Sequence, residues 1–347
     1  MKLLTKVSAA ALFAAALAPA SFANGRNPGS LLIYPIHRSG NPDGFFTILC
    51  VTNTNTEPAT PQSFGGTTNV MFEYVNTINP TPGSELPVDC YVVDRVETLT
   101  PADTLCVLTS CHNAAGGQEG YTVITAQNPG AFKTAWSFDY LVGSEMVVSP
   151  AAGVYSINAV PFSSGTNKMK VNAGHNDWPG SSADGVAKFD DKEYECAPDK
   201  LIIDSFLAVS RSSLTLLNLS GGTQYQVVAG FDIWNDNEFP LSATKLFRCW
   251  FEENLEGVSL VFSDQFLSNN TPNDPQELDV NCDNAGDFET GWACIDGIVA
   301  TSSNDTIQDP VLLGAITAAA TNINGGHLLW EDGCDKTGAF LNFGVGN

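Results

Sequence analysis

Lysine and arginine are scarce in this chain: 15 stand against 38 aspartates and glutamates, beside 4 histidines and 4 methionines. A surface so short of cations repels phosphate backbones and anionic headgroups, which argues against nucleic acid and acidic lipid as partners. Long apolar runs are missing after residue 17, so no later stretch approaches the roughly 20 residues that cross a bilayer as a helix. A G-x-S-x-G elbow, a phosphate-cradling glycine loop, a haem signature and a dinucleotide fingerprint are all absent. No segment outside the N-terminus repeats apolar residues at helical spacing over a dozen positions, and no motif specifies a reaction.

The chain opens with Lys2 and Lys6, an Ala-rich apolar stretch from Val7 to Leu17, a break at Pro19, and small residues at Ser21 and Ala23. That layout predicts a bacterial-style secretory signal peptide over residues 1–23, cleaved after Ala23. Cleavage leaves 347 − 23 = 324 residues, more than one core usually organises, so two domains are expected. It also removes two lysines, leaving 15 − 2 = 13 basic residues and a net charge of −25. A hydrophobic fraction of 43% is ample for packed cores. A low-Lys, Asp-rich surface suits a protein kept soluble in salty water, and equally one that binds calcium.

All nine cysteines (Cys50, Cys90, Cys106, Cys111, Cys196, Cys249, Cys282, Cys294, Cys334) follow the signal. Export makes disulfides the default, and an odd number leaves at least one thiol over. Cys106 and Cys111 would face opposite sides of a continuous strand, so a local bridge needs a turn and a distant partner is as good. Cys282 and Cys294 flank an acidic, Gly-containing loop that a bridge between them would staple. Zinc lacks the paired C-x2-C spacing it needs.

An internal echo organises the rest. Gly-Tyr-Thr-Val-Ile at 120–124 returns as Gly-Trp-Ala-Cys-Ile at 291–295, and Leu-Val-Gly at 141–143 as Leu-Leu-Gly at 312–314, both displaced by 171 residues. LLIYPIH at 31–37 resembles LIIDSFL at 201–207, and Asn53 with Asn55 resembles Asn235 with Asn237. Short runs rich in Val, Ile, Thr, Phe and Tyr, bounded by Gly, Pro and Asn every ten to fifteen residues, predict antiparallel strands. KLFRCWFE and GVSLVFSDQFL are read as two of these strands, and VLLGAITAAATN at 311–322 as a helix or, by analogy with its counterpart, a strand. The expected fold is all-β: two tandem antiparallel β-sandwich domains, generally like immunoglobulin-like surface modules, related by duplication. The first spans residues 24–165 and the second 200–347, joined by a linker or long loop over 166–199 that Cys196 and Trp178 help tie down. Halves cut near residues 180–195 are expected to fold separately.

No residue is assigned a catalytic role. The four histidines, His37, His112, His175 and His327, have no counterparts in the other copy. Ser242 and Lys245 form an isolated S-x-x-K outside a helix start. Cys111 beside His112 invites a nucleophile reading, but a bridged cysteine in a turn is preferred. Carboxylate pairs are too abundant to inform, because a glycosidase is defined by their separation in space. Trp250 and Trp292 lie inside apolar runs and are expected in the core, whereas Trp178 is expected at the surface. Asp232, Asn235, Asp236, Asn237 and Glu238, at the end of a strand, offer the hard oxygen ligands that calcium takes, and the acidic loop 273–289 is a second such place. Neither fits a twelve-residue EF-hand pattern.

The sequence therefore points to an exported, acidic, disulfide-stabilised structural, adhesive or binding component that is secreted, periplasmic or at the cell surface. It needs no cofactor, with calcium as an optional ligand. Self-association, another surface protein or a glycan are the expected partners. The competing reading is a secreted polysaccharide hydrolase with carboxylates in the acidic loops or the cleft between domains. An outer-membrane barrel is disfavoured by the cysteines and the density of loops.

Overall fold

A computed structural model describes residues 26–40, 45–77, 90–130, 135–149, 153–165, 186–208, 212–272, 282, 288–320, 323–334 and 340–342. The signal region, Trp178 and most of the linker lie outside these residues.

Among the described residues the first half contains nine strands: β1 (Leu31–Arg38), β2 (Phe46–Asn53), β3 (Thr68–Thr77), β4 (Cys90–Leu99), β5 (Thr104–Leu108), β6 (Glu119–Gln127), β7 (Leu141–Ser149), β8 (Gly153–Asn158) and β9 (Val160–Phe162), with one helical turn, α1 (Thr109–His112). They form a four-stranded sheet I, β5-β2-β7-β8, and a five-stranded sheet II, β4-β3-β6-β1-β9. After β10 (Val186–Lys188) the second half follows: β11 (Lys200–Leu207), β12 (Ser212–Asn218), β13 (Gln226–Asn235), β14 (Pro240–Arg248), β15 (Trp250–Asn254), α2 (Leu255–Val258), α3 (Asp264–Asn270), β16 (Thr290–Thr301), β17 (Thr306–Gln308), β18 (Leu312–Ala320), β19 (Ile323–Leu328), β20 (Trp330–Asp332) and β21 (Phe340–Asn342). Its four-stranded sheet III runs β15-β12-β18-β19 and its main sheet IV runs β14-β13-β16-β11-β20, with β17 added beside β16. Apart from β17, the order within sheets I and II is repeated strand for strand in sheets III and IV. All pairings in these sheets are antiparallel. Consecutive β1 and β2 lie in different sheets, unlike the opening hairpin of an immunoglobulin constant domain.

The 171-residue offset survives in the registers. Gly120 lies opposite Asn76, and Gly291 opposite Asn235. A β-carbon on Gly120 would meet the carbonyl oxygen of Val75 at 1.9 Å and the His37 ring, and one on Gly291 would meet that of Trp234 at 2.3 Å and the Phe206 ring. Both positions need glycine because backbone and ring close over them. The asparagine echo shifts, however. Asn53 pairs with Leu141 as Asn218 pairs with Leu312, so Asn53 corresponds to Asn218, and Asn235 corresponds to Asn76. A short Asn-x-Asn match is easily accidental in chains whose turns favour asparagine.

Three cores hold the four sheets together: one between I and II, one between III and IV, and a middle core that also takes in Val147 and Ile157 of sheet I, where β8 runs against β19 of sheet III. Leu32, Tyr34, Val51, Phe72 and Ile124 fill the space between I and II. Leu214, Leu216, Phe231, Ile233 and Ile295 fill that between III and IV. The middle core joins the halves: Leu31, Ile33, Tyr121 and Val123 of sheet II pack with Leu217, Leu313, Ala315 and Trp250 of the second half. The end of the linker region enters it too, through Ala187, Phe189, Tyr194 and Ala197. Strand β1 is consequently buried along nearly its whole length, alternate side chains serving different cores. This shared core bears on the expectation that separated halves fold alone, because each cut half would expose one side of it.

Local corrections follow from chain chemistry. KLFRCWFE is divided at Cys249, whose φ of 45° breaks the strand between β14 and β15. GVSLVFSDQFL is helical rather than extended, because Ser259 and Ser263 accept hydrogen bonds from the amides of Val261 and Phe266 and Asp264 begins α3. VLLGAITAAATN supplies strand β18.

Disulfides join Cys50 to Cys106, Cys90 to Cys249 and Cys196 to Cys334. The second of these links the halves. Cys106 thus takes the distant partner. Cys111 is an exposed free thiol rather than a bridged cysteine, and Cys294 on β16 is also free and closes no staple with Cys282. Among the described residues no helix is long and apolar enough to cross a membrane.

Candidate functional site

The five residues proposed for calcium lie around the end of β13, but on different sides of it. Asp232 is exposed on the outer face of sheet IV, whereas Asn235 is buried. The Asn235 Oδ1 accepts from the amide of Phe239 at 2.9 Å, and its Nδ2 donates to Thr271 Oγ1 at 2.9 Å. Asn237 Nδ2 donates to the Pro272 carbonyl at 2.6 Å and to Asp236 Oδ1 at 3.2 Å, while Thr290 Oγ1 donates to Asp236 Oδ2 at 3.2 Å. Glu238 occupies the left-handed region at φ 59°. These bonds fasten a turn to the start of β16 and the end of α3. Among the described residues no three His, Cys, Asp or Glu side chains are grouped to hold a metal. Nearly all of the acidic loop 273–289 lies outside the described residues.

His37 and His112 are similarly engaged. His37 is fully buried, with Nε2 at 3.1 Å from Asn76 Oδ1 and Nδ1 at 3.2 Å from Thr122 Oγ1. Burial lowers its pKa to about 4, so it is neutral near pH 7. His112 Nδ1 lies 2.7 Å from the Tyr74 hydroxyl and Nε2 lies 3.3 Å from Glu97 Oε1. Burial, with the nearby Arg95, lowers its pKa. With both ring nitrogens occupied, His112 is not poised to activate Cys111. Ser242 and Lys245 lie within β14, not in a loop, and Lys245 pairs with Glu253. His327 lies 3.8 Å from Asp204, and His175 is outside the described residues.

Where the halves meet, a charged cluster forms that no motif announces. Arg38, at the end of β1, directs Nη2 to both carboxylate oxygens of Glu252 on β15 at 2.6 and 2.5 Å, and Nη1 lies 3.7 Å from Glu119. Burial disfavours its charge, but Glu252 and Glu119 more than offset this and raise its pKa. Glu145 on β7 is completely buried and accepts from the Ile36 amide at 3.2 and 3.1 Å. Desolvation pushes its pKa well above the ordinary value, and the nearby Glu252 adds to the effect. Trp250 Nε1 donates to the Pro35 carbonyl at 2.8 Å beside them. A groove of about 340 Å³ opens here, lined by Arg38, Glu119, Ser213, Trp250, Glu252, Glu253 and Asn254. Its carboxylates face Arg38 or Lys245, its one aromatic residue is buried, and Glu145 does not line it. The cluster is a clamp between halves, formed by residues 214 positions apart in the chain, which explains why sequence reading missed it.

The open feature is the outer face of sheet IV. Trp292 is 40% exposed, against expectation, and stacks on Trp234 with ring centres 4.2 Å apart and planes 10° apart. Trp330, on the adjoining edge, is 56% exposed, and Ile298 and Leu246 are also exposed. Trp250 and Trp136 are buried. An apolar strand run thus identified Trp292 as part of a strand but not which way it faced. No protein-family model matches this chain, and no curated protein matches its sequence.

Proposed function

We propose that this chain is an exported, acidic, non-catalytic structural or binding component of a bacterial surface or the extracellular space, built from two sandwiches related by duplication. The observation that carries the reading is the contrast between polar clusters and surface. His37, His112 and the junction carboxylates are engaged within the fold, while sheet IV presents a broad aromatic and acidic face to solvent. Three disulfides fit an oxidising compartment. The repeated strand order supports the duplication, and the shared middle core makes the two sandwiches one mechanical body. A polysaccharide hydrolase would need two unengaged carboxylates flanking a bound sugar, and the junction groove offers carboxylates already facing cations.

Fractionation of the native host tests this reading. The mature protein is expected in the surface-associated or extracellular fraction with its disulfides oxidised. A cytosolic protein with all thiols reduced would refute it.

A further inference from the structure

Sheet II hides its outward face against sheet III, and no described residue covers Trp292, Ile298 or Leu246 on the equivalent face of sheet IV in the same way. Equivalent positions follow from the registers. Tyr121 and Val75 of the buried face correspond to Trp292 and Trp234, because each pair lies opposite one another on matching strands. Ile33 likewise corresponds to Ile202, since both precede the irregularity in their strand at the same step. The outer face of sheet I corresponds to the face of sheet III that covers sheet II. Thr52, Val142 and Ser144 there occupy the places of Leu217, Leu313 and Ala315.

We propose that sheet IV of one molecule docks on sheet I of a second copy, repeating between chains the contact that sheets II and III make within one. The proposal extends the structural-component reading and rests on it for biological meaning, though not for its physical argument. Three observations support this occupant. First, the internal junction shows that a five-stranded face and a four-stranded face of this design pack into a core. Second, the sizes compensate: tryptophans replace Tyr121 and Val75 on one side, and Thr52 and Val142 are smaller than the Leu217 and Leu313 they replace on the other, with Ser144 close in size to Ala315. A recess of about 140 Å³ on sheet I is lined by Cys50, Thr52, Val142 and Ser144 together with Pro28 and Arg26, whose guanidinium is paired with Glu195 and Glu331. Large side chains meeting small ones preserve core volume.

Third, the ion pair of the internal clamp is absent from both faces, while Lys200, Asp296 and Asp332 of sheet IV stand where sheet II has Leu31, Thr125 and Phe162. Arg38 corresponds to Leu207, and Glu252 to Cys106, so an ion pair is replaced on both sides by uncharged groups. Leu207 and Cys106 are both exposed in the single chain. The outward positions of sheet I, from Thr104 and Cys106 through Ile48, Cys50, Val142 and Met146 to Val154 and Ser156, carry no ionisable group apart from the bridged cysteines. Such a face is exceptional on a chain with 38 acidic residues. Because the two faces differ, the contact is heterologous and generates open filaments unless its rotation closes a ring. Salt should favour it by screening repulsion between acidic copies.

The test is sedimentation of the purified mature chain over a range of concentrations at low and high salt. Wild type is expected to give a size series growing with both. Trp292→Glu on sheet IV and Val142→Glu on sheet I should each be monomeric, with unchanged circular dichroism. Mixed together they should stop at a heterodimer, since one intact face of each kind remains. Trp330→Glu and Val154→Glu, at more exposed positions, replace them if the first pair misfolds. Monomeric wild type at every salt and concentration overturns the proposal, even if host fractionation upholds export. Dimerisation of Val142→Glu alone would also overturn it, indicating pairing of like faces. So would a monomeric wild type retained on a polysaccharide matrix through Trp292, which would assign the face to glycan.

Discussion

Sheets II and IV share one strand order and differ in what lies on their outer side. In sheet II, β1 reads LLIYPIHR and is buried on both faces. In sheet IV the corresponding β11 reads KLIIDSFL, and its burial alternates over the first four residues. A continuous apolar run is what a strand enclosed on both sides requires, and alternation is what a half-solvated strand requires. The same topology therefore serves as an interior layer in one half and a surface layer in the other, and the side chains record which.

The sharpest way to break this comparison is to separate the halves. Residues 26–165 and 186–342 produced alone each expose one side of the middle core and are expected to be insoluble, becoming soluble on co-expression. Independent, monomeric folding of both would show that the middle core contributes little.

Next comes a matched pair of substitutions. Ile33→Ala in the middle core should cost about 2–5 kcal/mol, whereas Ile202→Ala on the open face should cost about 1 kcal/mol or less. Equal losses in denaturant unfolding would mean that sheet IV is covered in solution, and their concentration dependence would show whether a second copy covers it.

The disulfides sharpen the same contrast. Removing a native bridge typically costs about 2–5 kcal/mol. Cys90–Cys249, which spans 159 residues and ties the halves, should matter more by about 1 kcal/mol than Cys50–Cys106, which spans 56 within one sheet. Paired Cys→Ser variants followed by thermal melts decide the order, and equal losses would mean that closure entropy is not what the bridges supply.

The smallest effect expected at neutral pH concerns the buried ionisable groups of the first half. His37 is held below its unfolded pKa, so its contribution is present above about pH 6.5 and is lost as pH falls towards 4, at most about 3 kcal/mol. Glu145 is held above its unfolded pKa, so its contribution is complete below about pH 4.5 and fades as pH rises through the folded value. Glu145→Gln, which keeps the neutral shape, should therefore gain stability relative to wild type as pH rises from about 5 to about 9. A gain independent of pH would place the effect in packing.

Strand positions and the 171-residue echo were legible because alternation, β-branched content and turn residues are local properties. The helical segment 255–270 was not, because its apolar run concealed the Ser259 and Ser263 caps. The direction faced by Trp292 depended on which sheet its strand joined, a non-local fact. The Arg38–Glu252–Glu145 clamp was invisible for the same reason: its members come from both halves and share no spacing. Asp232 to Glu238 show the reverse error, in which turn formers resemble ligands because the same side-chain oxygens serve both uses.

The disulfide pattern also determines how the chain would respond to tension. A pull between residues 26 and 342 crosses the loops closed by Cys50–Cys106 and Cys196–Cys334, and Cys90–Cys249 joins those two loops to each other. The third bridge therefore bypasses the stretch between Cys106 and Cys196: the taut path runs 106 − 90 = 16 residues back to Cys90 and 249 − 196 = 53 residues from Cys249 to Cys196, about 230 Å if fully extended. Under force, the oxidised molecule would lengthen until this bridge takes the load, and behave as a short tether.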